Sequence, residues 1–252
     1  MTDVIILGGG GWIPTAERAT CSALLRSGDR AVLIDAGTGL ERLVSDPSLL
    51  DGVAELDLVL THFHLDHVVG LGYLPGTRTI ASTPPRVWGP AQVLLGSSSE
   101  EALRRLAGPP FYDADFGLIA SEVRELDEGE QAIGPFTLTT RVQTRHSTPT
   151  LALRFDDLLT YCTDTAYDEG NVAFATASRV LMHEAWYSED APDVPEIHSS
   201  GREAATIARD AGVAELVLIH LHPRGGHDAV LAEASATFAP TVLGEDLLRR
   251  EL

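Results

Sequence analysis

Four metal-ligand side chains fall within six residues in His62-Phe63-His64-Leu65-Asp66-His67, entered from the apolar run Leu56-Asp57-Leu58-Val59-Leu60. Leu58 to Leu60 read as the end of a buried strand. In an extended continuation alternate side chains share a side, so His62, His64 and Asp66 can converge on one point. His67 follows one step later, and a turn toward Val68-Val69-Gly70 swings it to a neighbouring point, a geometry that suits two ions better than one. With 9 His and 37 Asp plus Glu in 252 residues, chance produces this pattern on the order of once in a thousand such chains.

Further donors stand near other strand ends. Val217-Leu218-Ile219 runs into His220, Thr160-Tyr161-Cys162 leads to Asp164, and His146 lies between the strand-like runs 136–142 and 151–155. Open sheets collect their sites at the carboxyl ends of strands. Together these make seven candidate donors, sufficient for two zinc-like ions with room left for water.

The elements that must position them can be read in outline. Val4–Leu7 is a strand that meets four glycines, Gly8 to Gly11; these do not form a dinucleotide fingerprint, because Ile13 falls where the last glycine should be. Strands are predicted over Thr20–Arg26 and Ala31–Ile34, joined by a turn at Ser27-Gly28-Asp29-Arg30. A short helix around Leu40, Leu43 and Val44 ends near Pro47, and a short strand is predicted at 79–81. Residues 82–117, with prolines at 84, 85, 90, 109 and 110, read as an irregular rim insertion holding a helix over Glu100–Leu106. Strands resume at 136–142, 151–155 and 158–162. Beyond them a helix is predicted over Asn171–Ser178, a strand over Arg179–Met182, a helix over Gly201–Gly212 capped by Ser199 or Ser200, a strand over Glu215–Ile219 and a helix over 228–238. No internal repeat is visible, and residues 1–252 read as one domain.

Composition narrows the function. The hydrophobic fraction of 44% and charged fraction of 22% are those of a globular protein. The apolar runs are strand-length, so no membrane span is expected, and the N-terminus lacks the basic start of a signal peptide, which makes the cytoplasm the default. Cys21 and Cys162 lack the spacing of a zinc knuckle or redox pair and read as core residues. The net charge of −19 leaves no basic stripe for gripping nucleic acid. All 18 basic residues are arginine, which excludes Schiff-base lysine chemistry and a Walker-type phosphate loop.

The His-x-His-x-Asp-His motif, followed by a lone His, an Asp and a His, resembles the metallo-β-lactamase superfamily. Within it the chain is most similar to the ribonuclease Z branch and its small-molecule phosphodiesterase relatives. The similarity extends through Ile13-Pro14-Thr15 with Arg18, Leu33-Ile34-Asp35-Ala36-Gly37, Trp88-Gly89-Pro90, His183-Glu184-Ala185-Trp186 and His198-Ser199-Ser200. It implies an α/β fold, an αββα sandwich of two mixed sheets flanked by helices. It also implies two Zn2+ per chain, with Mn2+ or Fe as alternatives: His62, His64 and His146 on one ion, Asp66, His67 and His220 on the other, and Asp164 bridging. Asp66, His198 and Glu184 take catalytic roles and Arg18 a substrate-binding one. Trp186 and Ser200 each stand where the family has threonine. His183, alternating with Glu184, is expected on the opposite face, and His222 and His227 on the rim.

The reaction so implied is phosphodiester cleavage by a hydroxide shared between the two metals, with His198, oriented by Glu184, protonating the leaving group. A small anionic phosphodiester is the expected substrate. Precursor transfer RNA is disfavoured, because the elbow-gripping arm of ribonuclease Z lies between the lone His and the bridging Asp, and here His146 and Asp164 are only 18 positions apart. Ala16 and Ala19 also stand where the short bacterial enzymes usually carry Lys and Asn. A lactone, thioester or β-lactam substrate is the alternative within the fold. A non-hydrolytic metal-binding or redox protein is the alternative outside hydrolysis. The family often dimerises, so a homodimer is expected.

Overall fold

The computed structural model describes residues 2–77, 83–191 and 196–252. Two mixed sheets of seven strands carry the architecture. The first contains β1 (Thr2–Gly8), β2 (Ser22–Ser27), β3 (Arg30–Ile34), β4 (Glu55–Val59), β5 (Arg86–Gly89) and β6 (Glu122–Glu125), in that spatial order, with the C-terminal β14 (Arg249–Glu251) added outside β1. The second contains β7 (Gly129–Ile133), β8 (Phe136–Gln143), β9 (Thr150–Phe155), β10 (Leu159–Cys162), β11 (Val180–Glu184), β12 (Glu215–Ile219) and β13 (Thr241–Leu243), again in order. Each sheet is antiparallel in its first half and parallel in its second: β1 to β3 and β8 to β10 are antiparallel, β3 to β6 and β10 to β13 parallel. The chain therefore repeats one topology twice, although no repeat is visible in its sequence.

Alternation along the strands builds three apolar layers. Val4, Ile6, Val32, Ile34 and Val59 of the first sheet meet Phe155, Tyr161, Met182, Val217 and Ile219 of the second in the central layer. The intervening Ile5, Leu7, Leu33 and Leu58 face outward, against Leu43 of α1 (Glu41–Ser45), Val68 of α2 (Leu65–Val68) and Leu103 of the helix Ser99–Leu106. Leu181, Leu216 and Leu218 pack on the other outer side against Ala204 and Ile207 of the helix Gly201–Ala211 and Val230 of the helix His227–Thr237. Each leucine withdrawn from water this way contributes roughly 1.5–3 kcal/mol. This is the αββα sandwich expected from the sequence.

The predicted hairpin forms, with Gly28 at φ +62° in the turn that pairs Ser27 with Arg30. The helix predicted to run to Ser178 stops at Phe174; Asn171 in its first turn bonds sideways to Arg141 and Gln143, and Ala177 turns at φ +60°. Residues 82–117 are not only a rim, because Arg86–Gly89 within them is an interior strand, flanked by β4 and β6 on its two edges. The strand predicted at 79–81 lies outside the described residues.

Candidate metal centre and active site

The two parallel halves bring their strand ends to one place. Asp35 comes one residue after β3 and Asp164 two residues after β10, the equivalent strands of the repeated topology, and both turn through the left-handed region at φ +57° and +50°. His62 lies just beyond β4, Glu184 ends its counterpart β11, and His220, at φ +51°, follows β12. Bulky non-glycine residues in this conformation are uncommon and collect at functional sites.

All seven sequence-predicted donors come together. Asp164 divides them by its two oxygens: Oδ1 lies 3.3 Å from His146 Nε2 and 4.0 Å from His62 Nε2, while Oδ2 lies 3.0 Å from His67 Nε2 and 3.4 Å from His220 Nε2. His64 groups with His62 and Asp164 on the first side. Asp66 Oδ2 lies 3.3 Å from His220 Nε2 and 3.6 Å from His67 Nε2 on the second. A tetrahedral ion with arms of about 2.0–2.1 Å needs donors about 3.4 Å apart, and these separations bracket that length.

The far sides of the rings explain why the near sides are available. His67 donates from Nδ1 to Asp35 Oδ2 at 2.8 Å, and His146 donates from Nδ1 to the Ile197 carbonyl at 2.9 Å. Thr61 spends its hydroxyl hydrogen on Asp35, so His62 Nδ1 donates to Thr61 Oγ1 at 3.0 Å. These bonds fix tautomers that leave Nε2 as a lone-pair donor, the arrangement that supports metal-binding histidines. His64 differs: its Nε2 bonds Thr148 at 3.0 Å, which leaves Nδ1 for the site. Among the described residues, His62 Nε2 and His67 Nε2 are buried without a well-aligned hydrogen-bond partner, although His67 Nε2 approaches Asp164 Oδ2 to 3.0 Å. Two such orphans beside carboxylates fit a bound cation.

The electrostatics agree. Burial works to neutralise His67, yet Asp164, Asp35 and Asp66 push its imidazole well above the usual range. Asp66 and Asp164 are held well below theirs: burial opposes ionisation, but His67 and His220 outweigh it. His62, buried and next to positive His67, is pushed down. The cavity thus demands positive charge where the donors converge.

Beside it stands a second pair. His198 Nδ1 lies 2.8 Å from Glu184 Oε2, and the other carboxylate oxygen accepts from the Thr165 N–H. Burial raises the Glu184 carboxyl to about 8, against the opposing pull of His220, and burial lowers His198. His198 is set by the helix that follows it, where Ser200 and Glu203 make a reciprocal capping box; Ser199 is not the cap and bonds the Thr165 carbonyl instead. Trp186, noted in the sequence only as a replacement, stacks its indole 4.5 Å from the His198 ring and 5.1 Å from that of His220.

Arg18 makes no hydrogen bond or ion pair to this cluster among the described residues. Its guanidinium Nη1 lies 3.2 Å from His227 Nδ1, and His227 bonds the His222 carbonyl, so all three belong to the rim. His183 packs with Leu181 on the outer face, away from Glu184, as alternation predicts. Cys21 is buried, as expected of a core residue, but sits directly behind the site, within 4.8 Å of donor atoms of His67 and His220. Asp35, Thr61 and Trp12 were given no role from the sequence, although Asp35 lies in a segment that carried the resemblance.

A family profile described as the β-lactamase superfamily domain matches residues 30–221. The chain belongs to this superfamily. Among its relatives, a ribonuclease Z of Mycobacterium sp. (strain KMS) is 33% identical over 281 aligned positions, covering 100% of this chain and 96% of that one. A probable metallo-hydrolase of Bacillus subtilis, YhfI, is 28% identical and covers 93% of each chain. The crystal structure of YhfI, described as a metallo-β-lactamase fold protein, superposes with a TM-score of 0.82 at 24% identity over 100% of this chain and 99% of that one. A diphosphatase of the PhnP family superposes at 0.73 with 17% identity, over 100% and 98%. These likenesses establish a metallo-β-lactamase fold in a superfamily of metal-dependent hydrolases.

Proposed function

We propose that this superfamily member is a two-metal phosphodiesterase for small diesters, acting as one domain. His62, His64, His146 and Asp164 would hold one divalent ion, and Asp66, His67, His220 and Asp164 the other. Such a pair supplies a water nucleophile active at neutral pH and neutralises charge on the phosphoryl oxygens.

The observation that carries the reading is the His198–Glu184 pair at 2.8 Å beside the donor cluster. Expulsion of a poor alkoxide from a phosphodiester calls for a proton donor of this kind at the edge of the site. With one proton shared between Glu184 and Nδ1, His198 keeps a hydrogen on Nε2 whether the pair is written as neutral acid and imidazole or as carboxylate and imidazolium. Nε2 then gives its proton to the leaving alkoxide while Glu184 steadies Nδ1. Trp186 fixes the ring plane and excludes water from one face. Asp66, a carboxylate among these donors, would accept a hydrogen bond from the attacking water. Arg18, whose buried Nε has no partner among the described residues, supplies positive charge at the rim.

The ribonuclease Z relative favours a second reading, precursor transfer RNA cleavage. Against it stand the 18-position interval from His146 to Asp164, the net charge of −19 and an alignment of 281 positions against the 252 residues here. The relative carries residues that have no counterpart in this chain.

Leaving-group dependence tests the proposal. His198→Ala is expected to retain metal and lose about a hundredfold or more in turnover of an alkyl diester, and much less with a nitrophenolate leaving group, which barely needs a proton. Equal losses on both substrates would remove His198 as the acid.

A further inference from the structure

Trp12 is an anomaly at the mouth of the site. It turns through φ +64°, a conformation that a bulky side chain adopts at an energetic cost. The Ile13 N–H reaches back to the Gly11 carbonyl at 2.8 Å, closing a strained three-residue turn around it. Burial of the indole does not offset that strain, because Trp12 is 55% exposed. What holds the turn is the site itself: the Trp12 N–H donates at 2.7 Å to Asp66 Oδ2, the oxygen that also meets His220 Nε2.

Other apolar side chains left in solvent attach to the same cluster. Ile13 is 48% exposed, Leu65, next to Asp66, is 63%, and Ile197, whose carbonyl orients His146, is 37%. A strongly polar centre is thus rimmed by surface that gains from being covered, and the backbone of an exposed tryptophan is tied by one hydrogen bond to a metal-ligand candidate.

The geometry points to Trp12 as the specificity-determining residue of this site: its indole receives an aromatic ring carried by the substrate, so the diester bears a flat aromatic group, a nucleobase or an aryl ester. The occupant is committed by proximity, since a phosphate among the donors of Asp66 and His220 leaves its ester group beside Trp12. This assignment rests on the phosphodiesterase reading for its phosphate, but recognition of the ring can be measured without turnover.

Calorimetric titration of zinc-loaded protein with two matched pairs of phosphate monoesters tests it: AMP against ribose 5-phosphate, and phenyl phosphate against methyl phosphate. At least one aromatic member is expected to bind about tenfold more tightly than its partner, the order that stacking on an aromatic side chain provides. Preference within the first pair identifies a nucleobase, and preference confined to the second an aryl ester. Trp12→Asn, which tolerates the left-handed backbone and keeps the turn, is expected to reduce the preference to less than about twofold, while Trp12→Phe retains most of it. Metal content and melting temperature are checked to show that both variants are folded and loaded. No preference in the natural protein, or an undiminished one in Trp12→Asn, overturns the assignment. A preference that behaves as expected in a protein that cleaves no diester leaves Trp12 standing and sinks the phosphodiesterase reading alone.

Discussion

His67 and Asp35 form a fully buried pair, with Nδ1 donating to Oδ2 at 2.8 Å, and neither side chain is exposed. Asp35 also accepts from the backbone N–H and hydroxyl of Thr61, so one carboxylate orients His67 directly and His62 through Thr61. Asp35→Asn is therefore expected to weaken metal binding by about 10–100-fold, the usual effect of losing a ligand's orienting partner, while leaving every donor in place. Competition with a chromogenic chelator measures this. Unchanged affinity would show that the pair serves folding alone.

Metal analysis of the natural protein is expected to return about two transition-metal ions per chain. His64→Ala should forfeit one, and Asp164→Ala, which faces both groups of donors, should impair both. Full occupancy in either variant would contradict the ligand assignment.

Gly11 supports His220 by having no side chain. A Cβ at Gly11 would lie 2.6 Å from the His220 atoms Cε1, Nδ1 and Nε2, so the ring would have to move. Gly11→Ala is expected to lower occupancy of the site shared by Asp66, His67 and His220 while sparing the other, read as a fall from about two ions toward one per chain.

His183 sets part of the acid sensitivity. Burial lowers its imidazole from 6.5 to about 4. Above pH 6.5 both folded and unfolded chains hold it neutral, and its effect on stability is nil. As the pH falls from 6.5 toward 4 the unfolded chain takes up a proton that the folded chain refuses, so stability declines, by about 3 kcal/mol in all. His183→Asn should show a shallower decline by that amount across this window in urea melts. Parallel curves would mean that His183 protonates without unfolding pressure.

Polyanion cleavage separates the two nucleolytic readings. Turnover of precursor transfer RNA is expected to be weak relative to a small diester and only mildly salt-dependent, because few phosphates are contacted. Rapid, steeply salt-sensitive processing would favour the ribonuclease Z reading.

The motif from His62 to His67 was legible because its residues are neighbours, and so were the strands ending at Ile34, Val59, Cys162 and Ile219, whose hydrophobic patterns are continuous. The Ser200–Glu203 capping box was half legible: the sequence left Ser199 and Ser200 equal, and the choice fell to Ser200 once Ser199 bonded the Thr165 carbonyl. The polar strands Glu122–Glu125 and Arg249–Glu251 were not legible, since they are strands only through pairing at a sheet edge. Nor was the roll of far-side partners: Asp35 meets His67 across 32 positions, and the Ile197 carbonyl meets His146 across 51. Local order is written in local spacing. The candidate donors were therefore named by the sequence alone, whereas their tautomers, their division by the two oxygens of Asp164, the Trp12 N–H on Asp66 and the indole of Trp186 beside His198 and His220 were decided only when the two repeated halves packed face to face.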